Sequence, residues 1–350
     1  MKKNILIFLG VFALTINTNA QDGLENILFA DIVDANKLTQ GYVMPAAKGI
    51  IYGMSNGWYH TAKVHKPFGF DISIGGNISF SGDGTKNFDV NSLNLSNKIT
   101  NNPTTSPTVF GESATPNAFE VSIPANSDPS INGGVHPELT RSFTMPNGFG
   151  DDLPLSGLPT PAVQISVGLP GKFEASLRFV PEVGSDETKA KLFGLGLKKE
   201  ITNWFGPLDK TPLHISIMGA FTNMTVTNLI EDPSENEIDI TNGVAELDLK
   251  SYTVQALASL NFPFINIFGG VGYINGSSSL NVAGTYNIQY ISGAETFTKT
   301  LVDPLNLDYD ASGLTTTVGA RLSFGFFKIY GSYSLQEYNT ASLGVAISIR

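Results

Sequence analysis

The sequence predicts an all-β fold, a transmembrane antiparallel up-and-down β-barrel of about 10–14 strands, preceded by an N-terminal helical segment. Three observations predict it. Many stretches alternate apolar residues with small or polar ones. Val163, Ile165, Val167 and Leu169 lead through Pro170-Gly171 to Phe173, Ala175, Leu177 and Phe179. The connections between such stretches alternate short and long. After residue 20 no apolar run approaches the ~20 residues a membrane helix needs. An apolar sheet face needs cover. Lipid provides it only when the sheet closes and every backbone group is paired.

Composition narrows the function classes. The chain has 350 residues, a net charge of −10 and 15% charged residues. The negative charge argues against a nucleic-acid partner. The absence of cysteine excludes a disulfide framework, a cysteine nucleophile and a zinc–thiolate site.

Residues 1–20 read as a signal peptide. Lys2 and Lys3 precede the apolar stretch from Ile5 to Ile16, and Thr18-Asn19-Ala20 offers a cleavage site near Ala20. Residues 21–67 form the N-terminal helical, plug-like segment. Leu24, Ile27, Leu28, Phe29, Ile32, Val33 and Leu38 have helical spacing, and Asp22 is the expected N-cap. The segment is expected in or against the periplasmic mouth of the barrel.

From Phe70 the period becomes two. Runs follow at 70–80, 162–169, 173–180, 189–199, 213–226, 250–262, 265–274, 313–324, 326–336 and 341–350. Together with their links they make up the barrel, 68–350. Long loops are expected at 82–160, 228–248 and 277–311. Alternation at Phe88 and Val90, at Phe119, Val121 and Ile123, and at Leu280 and Val282 leaves room for further strands or for extensions above the membrane. Trp204, Phe205, Phe262, Phe264, Phe268, Phe324, Phe326 and Phe327 gather by the short turns as an expected interfacial girdle.

Asn56-Gly57-Trp58-Tyr59-His60-Thr61-Ala62, His65-Lys66 and Gly69-Phe70-Asp71 resemble a motif of an uncharacterised family of Gram-negative outer-membrane β-barrels. Ser106-Pro107-Thr108-Val109-Phe110-Gly111 and Gly194-Leu195-Gly196-Leu197-Lys198-Lys199 resemble further marks of it. The resemblance implies location and fold rather than activity. More loosely, a segment ahead of a barrel is similar to the long-chain fatty-acid transporter barrels, whose hatch fills a wider ring. About 45 residues would not fit inside ten strands.

Glu174, Arg178, Arg321 and Lys328 are the candidate lumen-facing charges. Asn56, Gly57, Trp58, Tyr59, His60, His65 and Lys66 are the candidate plug residues. Inward Gly75, Gly168, Gly194, Gly196, Gly270, Gly272 and Gly319 leave room for the segment to approach the wall. No catalytic set, metal site or cofactor is expected. His60 and His65 sit beside Lys63 and Lys66, a poor setting for a cation, and no G-x-S-x-G elbow appears. The acidic stretch 231–239 reads as a solvated outer loop.

The expected location is the cell outer membrane. The partners are its lipid and lipopolysaccharide, the barrel assembly machinery during biogenesis, and small ligands, hydrophobic ones included. The leading function is passive uptake of small molecules gated by the N-terminal segment. The alternatives are a non-transporting barrel whose outer loops bind a partner or support the envelope, and an outer-membrane lipid enzyme. A continuous lumen would favour the first and a filled lumen with ordered loops the second.

Overall fold

The computed structural model describes residues 24–112, 118–230 and 237–349. The expected signal peptide, Asp22 and residues 231–236 of the acidic stretch lie outside them.

Among the described residues, ten strands close one ring. They are β1 (Phe70–Phe80), β2 (Gly157–Leu169), β3 (Phe173–Gly184), β4 (Thr188–Glu200), β5 (Leu213–Ile230), β6 (Ile238–Asn261), β7 (Ile265–Ser292), β8 (Leu305–Phe324), β9 (Phe327–Leu335) and β10 (Thr340–Ile349). Each pairs antiparallel with the next, and β1 pairs with β10 to complete the circle. Every ring strand has a paired neighbour on both sides over part of its length, and closure of this kind is the condition for lying in lipid.

The expected outward faces point outward. Leu314 is 77% exposed and Leu343 69%, with Val254, Val318, Ile347 and Phe193 exposed beside them. Water would disfavour so continuous an apolar belt; a bilayer selects for it. Trp204, Phe205, Phe262, Phe264, Phe324 and Phe326 are exposed at the short-turn end, as a girdle requires. Phe268 is a correction. It is buried in the lumen, edge-on to Tyr59 at 5.8 Å, because it has the opposite parity to Ile265 and Ile267. By the usual polarity of such barrels, the short turns are periplasmic and the long links external.

Two of the expected long loops are mostly strand. Residues 228–248 are largely the tops of β5 and β6, and 277–311 contains the top of β7, a hairpin strand Glu295–Val302 and the start of β8. Sheet hydrogen bonds continue past the belt, where no face has to be apolar. The ring is therefore lopsided. β6 and β7 have 24 and 28 residues, whereas β9 and β10 have 9 and 10.

The third link, from β1 to β2, builds a cap over the low side. It carries a pair of short strands, Asn87–Asp89 with Thr105–Pro107, and a three-stranded sheet, Ile99–Asn101, Ala118–Ile123 and Leu139–Thr144.

The helix differs from its expected form. Glu25–Phe29 is a short 3-10 turn, and α1 spans Ile32–Met54 with Asp31 as N-cap, its carboxylate accepting from the Val33 amide at 3.3 Å. Gly41, Pro45, Gly49 and Gly53 lie inside α1 despite their low helix propensity. Close packing explains the glycines. A Cβ at Gly41 would come within 2.8 Å of Phe88, and one at Gly49 within 3.3 Å of Phe110 and Leu158.

The path of this segment also corrects the expectation of a plug at the periplasmic mouth. The first turn of α1 lies among the outer cap, where Ser96 donates to Asp34 and Lys98 pairs with Asp31. The helix then descends, and Tyr52 donates to Glu337 at the low rim at 3.0 Å. Residues 55–66 run down the lumen. Phe68 reaches the periplasmic turn, where its amide donates to the Gly168 carbonyl at 2.8 Å. The chain thus threads the ring from the outside inward before β1 begins. Only its last third occupies the narrow lumen, which is how ten strands accommodate it.

The main apolar core sits at the outer end, between α1, the cap and the strand tops. It includes Leu38, Tyr42, Ile51, Phe110, Phe119, Tyr286 and Tyr290. A smaller core of Trp58, Tyr59, Ala62, Met218, Ala220, Leu257 and Phe268 fills the lower lumen.

Candidate functional site

The segment Met54–His65 is gripped by every strand of the ring. Asp71 of β1 accepts from His60 at 3.0 Å. Gln164 of β2 donates to the Trp58 carbonyl at 3.1 Å. Glu174 of β3 accepts from the His65 amide at 3.0 Å and its ring Nδ1 at 2.8 Å. On β4, Lys198 donates to the Thr61 carbonyl at 3.2 Å and Glu200 accepts from the Val64 amide at 3.1 Å. Ser216 of β5 donates to the Ala62 carbonyl.

The far wall completes the grip. On β6, Ser251 bonds Ser55, and Gln255 accepts from Tyr59 at 3.0 Å. Asn266 of β7 donates to Thr61 at 3.1 Å. Arg321 of β8 donates to His60 Nδ1 at 2.9 Å. Ser334 of β9 donates to Asn56 at 2.7 Å, and Ser348 of β10 bonds His65 at 3.1 Å. These wall residues have inward parity, opposite to the lipid-facing set. Buried polar groups need partners, and plug and wall supply many of them to one another, although Trp58 Nε1, Asp71 Oδ1 and the Nε atoms of Arg178 and Arg321 have no protein partner.

Arg178 of β3 is fully buried and carries the largest share. One guanidinium nitrogen donates to the carbonyls of Met54 and Asn56, at 3.0 and 3.1 Å, and another to Gln164 at 3.2 Å. The first two acceptors lie at the C-terminal end of α1, where unpaired carbonyls give the helix its negative pole. The cation is thus neutralised by helix carbonyls instead of a carboxylate.

Its planar face lies 4.0 Å from the Trp58 ring centroid. On the wall, a Cβ at Gly194 or Gly196 would meet the same ring at 3.0–3.1 Å. Gly168 and Gly270 likewise admit the His65–Lys66 backbone and Tyr59, as the inward-glycine pattern implied. Gly276 and Gly313 add Ile51 and Tyr52. Gly75, Gly272 and Gly319 do not fit that pattern; their added Cβ atoms would strike neighbouring strands or Phe268. Gly57 adopts φ +71° beneath Asn77, a left-handed turn that glycine takes without strain.

Lower down, charges form a chain of pairs. Lys198 meets Glu174 at 2.7 Å, His65 joins Glu174, and His214 meets Glu200 at 2.9 Å. Since Arg321 donates to His60 Nδ1, the opposite nitrogen carries the proton shared with Asp71. Of the candidate charges, Glu174, Arg178 and Arg321 touch the plug. Lys328 instead lines a recess at the periplasmic mouth with Lys66. The sequence reading missed Gln164, Glu200, Gln255 and Asn266 and marked Lys198 only within the stretch Gly194–Lys199. Their only signal was inward parity, since partners a hundred or more residues away leave no local trace.

The cap has its own ties. Lys299 pairs with Asp128 at 2.9 Å, linking the three-stranded sheet's loop to the Glu295–Val302 hairpin. Partial burial would raise the Asp128 pKa, but hydrogen bonds from Ser130 and Lys299 outweigh it and hold the group down to about 2. His136 accepts from the Asp128 amide at 3.2 Å, a structural bond within the same loop. Arg141 pairs with Glu237 and lies 4.9 Å from the Phe29 ring centroid.

Several solved outer-membrane structures are similar to the chain at low scores. Ail, the attachment invasion locus protein of Yersinia pestis, solved with the heparin analogue sucrose octasulfate, aligns over 54% of this chain and 95% of its own, at 14% identity and TM-score 0.26. The translocator domain of autotransporter NalP from Neisseria meningitidis aligns over 82% and 90%, at 10% identity and TM-score 0.28. The outer membrane protease OmpT from Escherichia coli aligns over 82% and 98%, at 9% identity and TM-score 0.25. Comparison with curated proteins finds no match. Residues 1–349 match the family described as "Family of unknown function (DUF6588)", and the chain belongs to that family.

Proposed function

We propose that this protein is a sealed, non-conducting barrel of the cell outer membrane that presents its structured cap to partners outside the cell. The grip of all ten strands on Met54–His65 carries the reading. The apolar core above it adds a second seal, because moving α1 would expose Leu38, Tyr42, Ile51 and Phe110 to water. The segment then acts as an internal strut that fixes the cap on the barrel. Lipid and lipopolysaccharide cover the belt, and the reading includes no catalytic step.

Gated uptake is the second reading. It is favoured by the lower lumen, whose Ser, Thr, Gln and charged lining would hold water if residues 55–66 moved.

Conductance separates the two. The chain has no cysteine, so Ser55→Cys with Ser251→Cys gives a single bridge that locks plug to wall. Planar bilayers holding the wild type are expected to show no channel events above the lipid background, and oxidising the double variant is expected to change nothing. Conductance in the wild type and in the reduced double variant, abolished in the variant by oxidation and restored by a thiol reductant, would establish gating instead.

A further inference from the structure

We propose that the periplasmic mouth carries a binding site for a small soluble oxyanion of the phosphate class. A recess of about 310 Å³, roughly ten water volumes, opens there between plug and wall. Lys63 and Lys66 reach it from the plug, Arg321 from β8 and Lys328 from β9. His65, Thr61, Asn261 and Ser348 supply polar groups around them. Four cations thus line the recess, with no carboxylate among its described lining residues, in a chain whose net charge is −10.

The carboxylates deeper in the lumen are already engaged, Asp71 with His60 and Glu174 with His65 and Lys198. Among the described residues, Lys63, Lys66 and Lys328 have no ion-pair partner. Arg321 spends one nitrogen on His60, while its buried Nε–H has no protein acceptor. Like charges that share one recess repel, and an anion bound among them relieves the repulsion. A tetrahedral oxyanion offers several acceptors to converging ammonium and guanidinium donors.

Position selects the source. Arg321 and Lys328 lie on the inward parity, beside the lipid-facing Leu322 and Ile329. The closed wall therefore stands between the recess and the acyl chains, and the ligand arrives from the periplasm, not from the leaflet. Two of the cations belong to the plug and two to the ring, so the anion would tie one to the other. The site does not depend on whether the lumen conducts.

The test is calorimetric titration of the full chain, in non-ionic detergent at low salt, with inorganic pyrophosphate and separately with a short-chain phosphatidylglycerol. Saturable one-to-one binding of pyrophosphate is expected. Lys328→Gln is expected to weaken it about tenfold, and Lys63→Gln with Lys328→Gln about a hundredfold. Each variant should keep the heat-modifiable gel shift of a folded barrel. No pyrophosphate binding, equal binding by the folded double variant, or binding of the lipid alone would each overturn the proposal.

Discussion

Replacing Arg178 by Ala is expected to unseat the plug while leaving the ring closed. The substitution strips the Met54 and Asn56 carbonyls of their cationic donor and removes the guanidinium stacked on Trp58. Hydrogen bonds to a charged group are worth ~1.5–3 kcal/mol each, and the stacking adds ~0.5–2. The combined loss, about 3.5–8 kcal/mol, falls on the contact between strut and wall. The ring's ladders do not involve this side chain, so heat-modifiability should persist. Planar-bilayer recordings should show conductance in Arg178→Ala that the wild type lacks. Arg178→Lys, which keeps the charge but not the planar fork, should fall between them. A silent, fully folded Arg178→Ala would mean that other contacts seal the lumen unaided.

The second large effect comes from Trp58 and the glycine wall. Trp58→Ala empties a buried indole site, a change that costs ~3–5 kcal/mol in tightly packed interiors. The reciprocal change, Gly196→Leu, fills the space that Trp58 occupies and should displace the ring. The chain has two tryptophans, and the other, Trp204, is exposed in the girdle. In a Trp204→Phe background, Trp58 is the sole reporter. Acrylamide should quench it weakly in that background and strongly once Gly196→Leu is added. Trp58→Ala combined with Gly196→Leu should be more stable than the sum of the single effects implies, because the added side chain enters the vacated space. Strict additivity would show that the two sites do not touch.

The legible part of this fold is what lipid imposes. Ile72, Leu195, Val254, Val318 and Leu343 face a uniform solvent, so strand after strand repeats the same period, and closure follows from backbone pairing. Past the membrane that constraint lapses. The tops of β6 and β7 reverse the sense of the alternation: Ile238, Ile240, Leu280, Tyr286 and Ile288 turn inward to the core and polar residues face out, so the stretches 228–248 and 277–311 resembled loops.

The N-terminal helix was legible at its start, but it runs on past the apolar spacing that marks it. Gly41, Gly49 and Gly53 have poor helix propensity, yet tertiary packing against Phe88, Phe110 and Thr160 leaves no room for a side chain there. Parity placed Glu174, Arg178 and Arg321 in the lumen, but not their partners. Arg178 meets Met54 across more than a hundred residues, and neither residue type announces the other. The inward glycines were the best local clue to the plug, and they succeeded where the approaching group is the segment itself.

Sidedness tests the central claim, that the N-terminal segment threads the ring from outside to inside. Val33 is exposed by the outer cap and Phe68 by the periplasmic turns. In the cysteine-free chain, Val33→Cys and Phe68→Cys each give one label site. Intact cells treated with a bulky, membrane-impermeant maleimide should label Val33→Cys fully, and Phe68→Cys only after the outer membrane is opened. Both positions reacting only after permeabilisation would place the segment at the periplasmic mouth and contradict the threaded path.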